Sequence, residues 1–321
     1  MTYDRYYYSI LSPEDKCVYK TLYHGIQNFD KSIAVKRSSV PIESILQYIG
    51  FDNPHIFYVD LNQISYYEGV GGITLTPTYW YTRDKAAEIE KKINTVLGKM
   101  IARVSGATDY EKEMSVHRLL SENVVYDKLA YSNLQKYHPR SNSILGVLFF
   151  KTAVCEGIAK VAKMLLNLLD IKCIVAYGMA GGEDHAWNIV KINGRAYHLD
   201  ITWDINLSGA DAHRYDYFNL SDIDIAKDHT PAIKYPECNS ECDNYFIKNK
   251  LVAKSIIDVE RIIASALLKK KKSVTFKYTG GDIDRALNAA VNSAGAFRAF
   301  SGIYTITYSK NSDQGICSVI L

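Results

Sequence analysis

The chain has 321 residues, which is more than one compact core usually needs and predicts two or three modules. A net charge of +3, from 38 basic and 35 acidic residues, is too balanced to indicate nucleic acid as the main partner. No stretch approaches the roughly 20 apolar residues of a membrane span. Six cysteines are too sparse for a disulfide scaffold. The first residues lack the basic and apolar regions of a secretory leader, so we expect a cytoplasmic protein, or an exported one if a leader precedes this sequence.

The first third of the chain is predicted to alternate helices with strands. Ser12-Pro13-Glu14-Asp15 combines an N-cap residue, a proline and two acids, which is typical of a helix start. Tyr, Ile, Phe and Thr then dominate short segments that favour strands. The predicted elements are a helix to about Asn28, a strand 32–36, a helix 42–48, strands 55–61, 63–67 and 73–80, and a helix 83–104.

The remaining elements follow from capping and turn signals. Thr108 and Glu111 have capping-box spacing and open a helix towards Val124. Asn193-Gly194 lies between two alternating runs, which is a strong signal for a two-residue hairpin turn. The other predicted elements are a helix 155–169, a strand 172–177, strands 185–192 and 195–203, a helix 259–268, a strand 274–278, a helix 283–291, and strands 303–308 and 316–321.

Cys155 is the candidate nucleophile. It precedes a stripe of apolar residues at helical spacing, so it is expected at the N-terminal end of a packed helix. Backbone N–H groups and the positive end of the helix dipole favour a thiolate there, and a thiolate is the form that attacks a carbonyl carbon. Taken alone, such a cysteine is more often a small buried apolar residue.

His185 and Asp200 are the candidate base and its orienting acid. With Asn193-Gly194 as the loop, Trp187 lies opposite Asp200, and His185 shares the face of Trp187 because side chains alternate with period two. The diagonal between His185 and Asp200 is then about 7 Å, which an imidazole and a carboxylate can bridge. A slip of one residue in register would turn Asp200 to the other face. A nucleophile, a base and a group that fixes its tautomer are what nucleophilic catalysis requires.

At these residues the sequence resembles the transglutaminase-like superfamily of papain-like thiol enzymes. The resembling segments cover about residues 108–235 and are Val154-Cys155-Glu156-Gly157, His185-Ala186-Trp187-Asn188, and Tyr197-His198-Leu199-Asp200 with Thr202-Trp203-Asp204. The upstream Val124-Val125-Tyr126-Asp127 resembles the lead-in of bacterial members. Leu145 stands where relatives often carry a tyrosine.

The resemblance implies an α+β fold in which the helix bearing the nucleophile packs on an antiparallel sheet. It implies Cys155 as nucleophile, His185 as general base and Asp200 as orienting acid, with Trp187 and Asn188 structural or lining a substrate-binding cleft. The chemistry needs no metal or organic cofactor. We expect a core at 106–240, flanked by small α+β modules at 1–105 and 241–321.

Three functions remain open from the sequence. The first is a thiol hydrolase acting on a protein or peptide substrate, and the second is a transglutaminase that passes the acyl group to an amine. The third is a catalytically idle scaffold that binds protein. The sequence predicts no nucleic-acid partner and does not indicate an oligomeric state.

The other cysteines and histidines are interpreted as structural. Cys238 and Cys242 could close a small loop or bind a metal, and the loop is favoured because no second Cys/His pair has zinc-ligand spacing. His198 is expected on the hairpin face opposite His185, in packing or towards solvent. His229 and the remaining histidines, His138 among them, show no metal-ligand spacing.

Overall fold

The computed structural model describes residues 3–61, 64–132, 140–209, 213–292 and 307–321. The chain divides into two compact units, Met1–Tyr177 with His185–Asn193, and Gly178–Asp184 with Gly194–Leu321. The division into three modules at residues 105 and 240 stays a prediction. In the described part of the chain, no helix has the length and apolar character needed to cross a membrane.

The first unit is mainly helical up to the helix that begins at Cys155. Its strands form a three-stranded antiparallel sheet in the order β1-β3-β2 and a short parallel pair, β4 and β5. A π-helical turn, Gly146–Phe150, precedes β5. In chain order the elements are α1 (Tyr6–Ile10), α2 (Pro13–Gln27), β1 (Ile33–Val35), α3 (Ile42–Asp52), β2 (Ser65–Gly69), β3 (Gly72–Thr76), α4 (Arg83–Ile101), α5 (Asp109–Asn123), β4 (Val125–Tyr126), α6 (Lys128–Ser132), β5 (Thr152–Ala153) and α7 (Cys155–Leu168).

The strand predicted at 55–61 is wrong. The Asn53 carbonyl accepts a hydrogen bond from Ile56 N–H in a turn, and in this segment only Val59 takes part in a β-bridge, with Tyr79. Residues 56–60 are all buried, so the alternation of a half-buried strand is missing and the apolar content reflects packing on every side. Gln63, in the next predicted strand, lies outside the described residues, and the described strand β2 begins at Ser65.

Two strands, β6 (Cys173–Ala180) and β7 (Glu183–Ile192), contribute residues to both units. Within the first unit, Lys191 N–H donates to the Lys172 carbonyl at 2.9 Å. The two-residue turn after β7 is confirmed, because Asn193 (φ +50°) and Gly194 (φ +82°) both adopt the left-handed backbone that this turn requires. The turn leads into β8 (Arg195–Leu199).

The second unit continues with short elements and ends in a four-stranded sheet of order β11-β12-β14-β13. Strand β8 pairs antiparallel with β9, and β10 pairs antiparallel with residues 178–180 of β6. The elements are α8 (Ile201–Leu207), β9 (Phe218–Leu220), α9 (Asp222–Ile225), β10 (His229–Pro231), α10 (Tyr245–Lys248), β11 (Val252–Ala253), α11 (Ile256–Leu268), β12 (Ser273–Tyr278), α12 (Ile283–Asn292), β13 (Thr307–Asn311) and β14 (Ile316–Ile320).

The strand predicted to run from 195 to 203 ends at Leu199, and a helix follows. The Asp200 carboxylate accepts a hydrogen bond from Trp203 N–H at 3.1 Å, which makes Asp200 the N-cap of α8. Capping therefore overrides the strand pattern of the next residues. The C-terminal helices and strands lie close to their predicted positions, and residues 303–306 of the strand predicted there lie outside the described residues. The α+β class is confirmed.

Candidate active site

Cys155 is the first residue of α7, as the apolar stripe predicts. Its side chain is buried, with 8% of the residue exposed, among groups at the start of a 14-residue helix. Ile158, Val161 and Leu165 are buried along one face of that helix and fix it in the core. The first-turn N–H groups of a helix have no partner within the helix, so they are available to an anion at this end.

The chain before Cys155 is held by the predicted lead-in segment. Val125 N–H donates to the Lys151 carbonyl at 2.9 Å, and Asp127 N–H donates to the Ala153 carbonyl at 3.0 Å. The Asp127 carboxylate also accepts a hydrogen bond from Ser141 Oγ at 2.6 Å. These bonds set the direction in which the chain enters α7.

Gly157 allows a second segment to lie against the first turn of α7. A Cβ atom at this position would stand 2.7 Å from the Ser141 carbonyl oxygen and 2.9 Å from that of Ser143. Both distances are too short for carbon and oxygen, so a larger residue would push residues 141–143 away from the nucleophile. The third residue of the Cys155-Glu156-Gly157 motif is thus a glycine because no larger residue fits there.

Strand β7 is attached to α7 by Asn188. Its amide Nδ2 donates to the Ala159 carbonyl on α7 at 2.9 Å and to the Ile174 carbonyl at 3.2 Å. The rings of His185 and Trp187 stack with centroids 6.1 Å apart, so these two residues share a face as expected. Trp187 and Asn188 are buried and His185 is half-buried. Substrate binding by Trp187 and Asn188 stays a prediction.

Lys163 attaches the N-terminal residues to the same helix. Its Nζ donates to the carbonyls of Asp4 (2.7 Å), Phe51 (2.7 Å) and Asp52 (3.2 Å). Burial lowers the pKa of Lys163 to about 8, although the Asp52 carboxylate acts in the opposite direction. Burial likewise raises the pKa of Asp52 to about 6. Helix α7 is therefore held on several sides by buried polar side chains.

Asp200, the predicted acid, forms a buried cluster that the sequence did not indicate. Its Oδ2 lies 3.1 Å from His229 Nε2, and His229 Nδ1 lies 2.6 Å from Asp228 Oδ1. We call these three residues the Asp200 cluster. The side chains of Asp200 and His229 are fully buried. No spacing rule links His229 to Asp200, because 29 residues separate them and the intervening fold makes the contact.

Asp228 connects the Asp200 cluster to the C-terminal strands. Its Oδ2 accepts hydrogen bonds from Tyr217 Oη at 2.7 Å and from Gln314 Nε2 at 2.9 Å. Asn311 Nδ2 donates to Tyr217 Oη at 3.2 Å. Asn311 ends β13 and Gln314 lies in the turn before β14. Residues of the C-terminal strands therefore hold Asp228, the second carboxylate at His229, in place.

A second cluster in the same unit contains His198, Asp222 and Cys238, whose potential ligand atoms lie within 4.8 Å of one another. We call it the Asp222 cluster. His198 Nε2 lies 2.9 Å from Asp222 Oδ1, and Cys238 N–H donates to Asp222 Oδ2 at 2.8 Å. Burial raises the pKa of the Cys238 thiol, which donates to the Pro236 carbonyl at 3.5 Å. Cys238 and Cys242 are both free thiols, so no disulfide closes the small loop predicted from them.

A comparison with known protein families matches the segment that contains Cys155, His185 and Asp200. Residues 99–201 match the model of the transglutaminase-like superfamily. Over these residues the chain is similar to that superfamily. The transglutaminase-like core so defined contains Cys155, His185 and Asp200, whereas His229 and Asp228 follow it in sequence.

Similarity to known structures is distant, and no curated protein sequence matches the chain. A TGase is 15% identical over 56% of this chain and 51% of its own, with a TM-score of 0.33. A provisionally assigned cysteine protease from Cytophaga hutchinsonii is 15% identical, covering 44% of this chain and 61% of its own, with a TM-score of 0.28. A provisionally assigned protease from Parabacteroides distasonis is 14% identical, covering 43% and 35%, with a TM-score of 0.27. The chain thus spans about half the length of the TGase, and about a third of that of the Parabacteroides protein.

Proposed function

We propose that the protein is a thiol-dependent acyl-transfer enzyme that hydrolyses peptide or amide bonds. The observation that carries this proposal is the position of Cys155 at the start of a long, rigidly packed helix within the transglutaminase-like core. The positive end of a helix dipole favours an anion, which is the setting that the proposed reaction requires. His185 on β7 is the proposed base and Asp200 the proposed orienting acid.

The proposed reaction passes through a thioester. The Cys155 thiolate attacks the substrate carbonyl carbon, and the amine leaves with a proton from the His185 imidazolium. Water then attacks the thioester and gives up a proton to His185, which releases the carboxylic acid and regenerates the Cys155 thiolate and the His185 imidazolium. Backbone N–H groups at the start of α7 are the proposed donors to the oxyanion. Trp187 and Asn188 are proposed to shape the substrate site.

Transfer to an amine is the second candidate, because it uses the same thioester with a different acceptor. An assay with a casein substrate and a biotinylated primary amine separates the two. Cleaved peptides without biotin support hydrolysis, and biotin on intact substrate supports transfer. The Cys155→Ala variant is the control for both. If the wild-type protein forms neither product, the proposed enzyme activity is overturned and a binding scaffold is favoured.

A further inference from the structure

His229 is surrounded by more charge than its burial would normally allow. Carboxylate oxygens of Asp200 and Asp228 face its two ring nitrogens at 3.1 and 2.6 Å. The rings of Trp203 and Tyr217 pack beside the imidazole, with centroids at 4.7 and 5.6 Å. The ring is therefore held in a fixed orientation between two acids.

With both carboxylates ionised, the hydrogen-bond count favours one charge state of this ring. A neutral imidazole carries one N–H and one bare nitrogen, so one of the two carboxylates would face a lone pair. An imidazolium donates to both carboxylates, which is the arrangement with every contact satisfied. The Asp200 cluster then carries one positive and two negative charges and keeps a net charge of −1.

That remaining charge matters for the proposed acid. Without a cation between them, Asp200 and Asp228 would share a buried site, and like charges in such a site favour protonation of one carboxyl. A protonated Asp200 would lose the negative charge with which it stabilises a protonated base. The bond to His229 Nε2 and the bond from Trp203 N–H together fix the plane of the carboxylate.

We propose that His229, hydrogen-bonded to Asp228, is a positioning residue that keeps the Asp200 carboxylate ionised and correctly oriented for catalysis. This inference rests on the proposed function. It extends the functional unit beyond the transglutaminase-like core, through Asp228 to Tyr217 and Gln314.

The test compares two buried histidines. His229→Gln removes the charged bridge to Asp200, and His198→Gln is the matched control, since His198 is equally buried and also bonded to an aspartate. The rate of Cys155 alkylation by iodoacetamide is measured from about pH 5.5 to pH 9 in the full-length chain, with site assignment by mass spectrometry. Asp228→Asn is a milder second variant, and circular dichroism verifies that each protein is folded.

We expect His229→Gln to reduce labelling near pH 6.5 about tenfold, because Asp200 would no longer be held in its ionised form. Asp228→Asn should give a smaller loss of the same kind, and His198→Gln should stay within about twofold of wild type. An unchanged His229→Gln profile beside an activated wild type overturns the positioning role alone. Equal losses in His198→Gln and His229→Gln overturn it as well, because they indicate general destabilisation.

A second readout does not depend on reactivity. Nitrogen-15 spectra of the imidazole groups should show one histidine protonated at both ring nitrogens near pH 8, and this signal should be missing in His229→Gln. If every histidine instead shows one unprotonated ring nitrogen at this pH, the proposal is overturned. If wild-type Cys155 titrates as an ordinary thiol while the imidazolium signal is present, the proposed function has failed, and with it the catalytic part of the role.

Discussion

Two buried histidines in the second unit are bonded to aspartates, yet their surroundings differ. His229 lies between the side chains of Asp200 and Asp228, which are 0% and 6% exposed. His198 Nε2 lies 2.9 Å from Asp222 Oδ1, and the Asp222 side chain is 51% exposed. Burial lowers the pKa of His198 even though Asp222 acts in the opposite direction.

From this difference we infer that the exposure of the carboxylate, and not the histidine–aspartate pair itself, determines the electrostatic role. A buried carboxylate cannot be solvated by water, so its cation is needed for the fold. An exposed carboxylate is solvated whether or not the histidine is charged. We therefore expect the free energy of unfolding to fall strongly when a charged group of the Asp200 cluster is removed. We expect a small change when the charge of Asp222 is removed.

The largest expected effect on stability is that of Asp200→Asn. The substitution leaves the buried His229 with one carboxylate in place of two, and breaking a buried ion pair costs about 3 to 5 kcal/mol. Unfolding by guanidinium chloride, followed by circular dichroism, measures the change in free energy. A loss below about 1 kcal/mol would contradict the charged state assigned to His229.

Asp222→Asn is the matched substitution in the other cluster, and a smaller effect is expected. The side chain is half exposed, so the loss of its charge should cost about 1 kcal/mol or less. The amide oxygen of asparagine can still accept the hydrogen bond from Cys238 N–H. The same unfolding experiment applies, and a loss equal to that of Asp200→Asn would remove the proposed distinction between the clusters.

The pH dependence that comes from His198 is the smallest effect. Because its folded pKa lies below the ordinary value of 6.5, the unfolded chain takes up a proton that folded His198 resists. Wild-type stability should therefore fall as the pH drops below 6.5 towards the folded pKa. The stability of His198→Gln should fall less over the same range. Curves that remain parallel from about pH 7 to pH 5 would contradict the lowered pKa.

Local signals in the sequence predict much of the fold. The helix start at Cys155, the turn at Asn193-Gly194 and the capping box at Thr108 each depend on a few neighbouring residues, and the structure contains all three. Where two local signals compete, the prediction fails. Asp200 follows a strand pattern but caps a helix, because its carboxylate satisfies Trp203 N–H.

Long-range contacts could not be predicted from the sequence. His229 and Asp228 have no motif that relates them to Asp200, and Gln314 follows Asp228 by 86 residues. Such contacts depend on the packing of strands, which no spacing rule encodes. The roles of Cys155, His185 and Asp200 remain predictions from motif order and electrostatics.

The most direct test of the account is the pH dependence of Cys155 alkylation in the wild-type protein and in His185→Ala. The account predicts rapid labelling that persists well below the free thiol pKa of about 8.5 and is lost in His185→Ala. Labelling that follows an ordinary thiol titration in both proteins would contradict the claim that Cys155 is held as a thiolate. It would also contradict the proposed acyl-transfer activity.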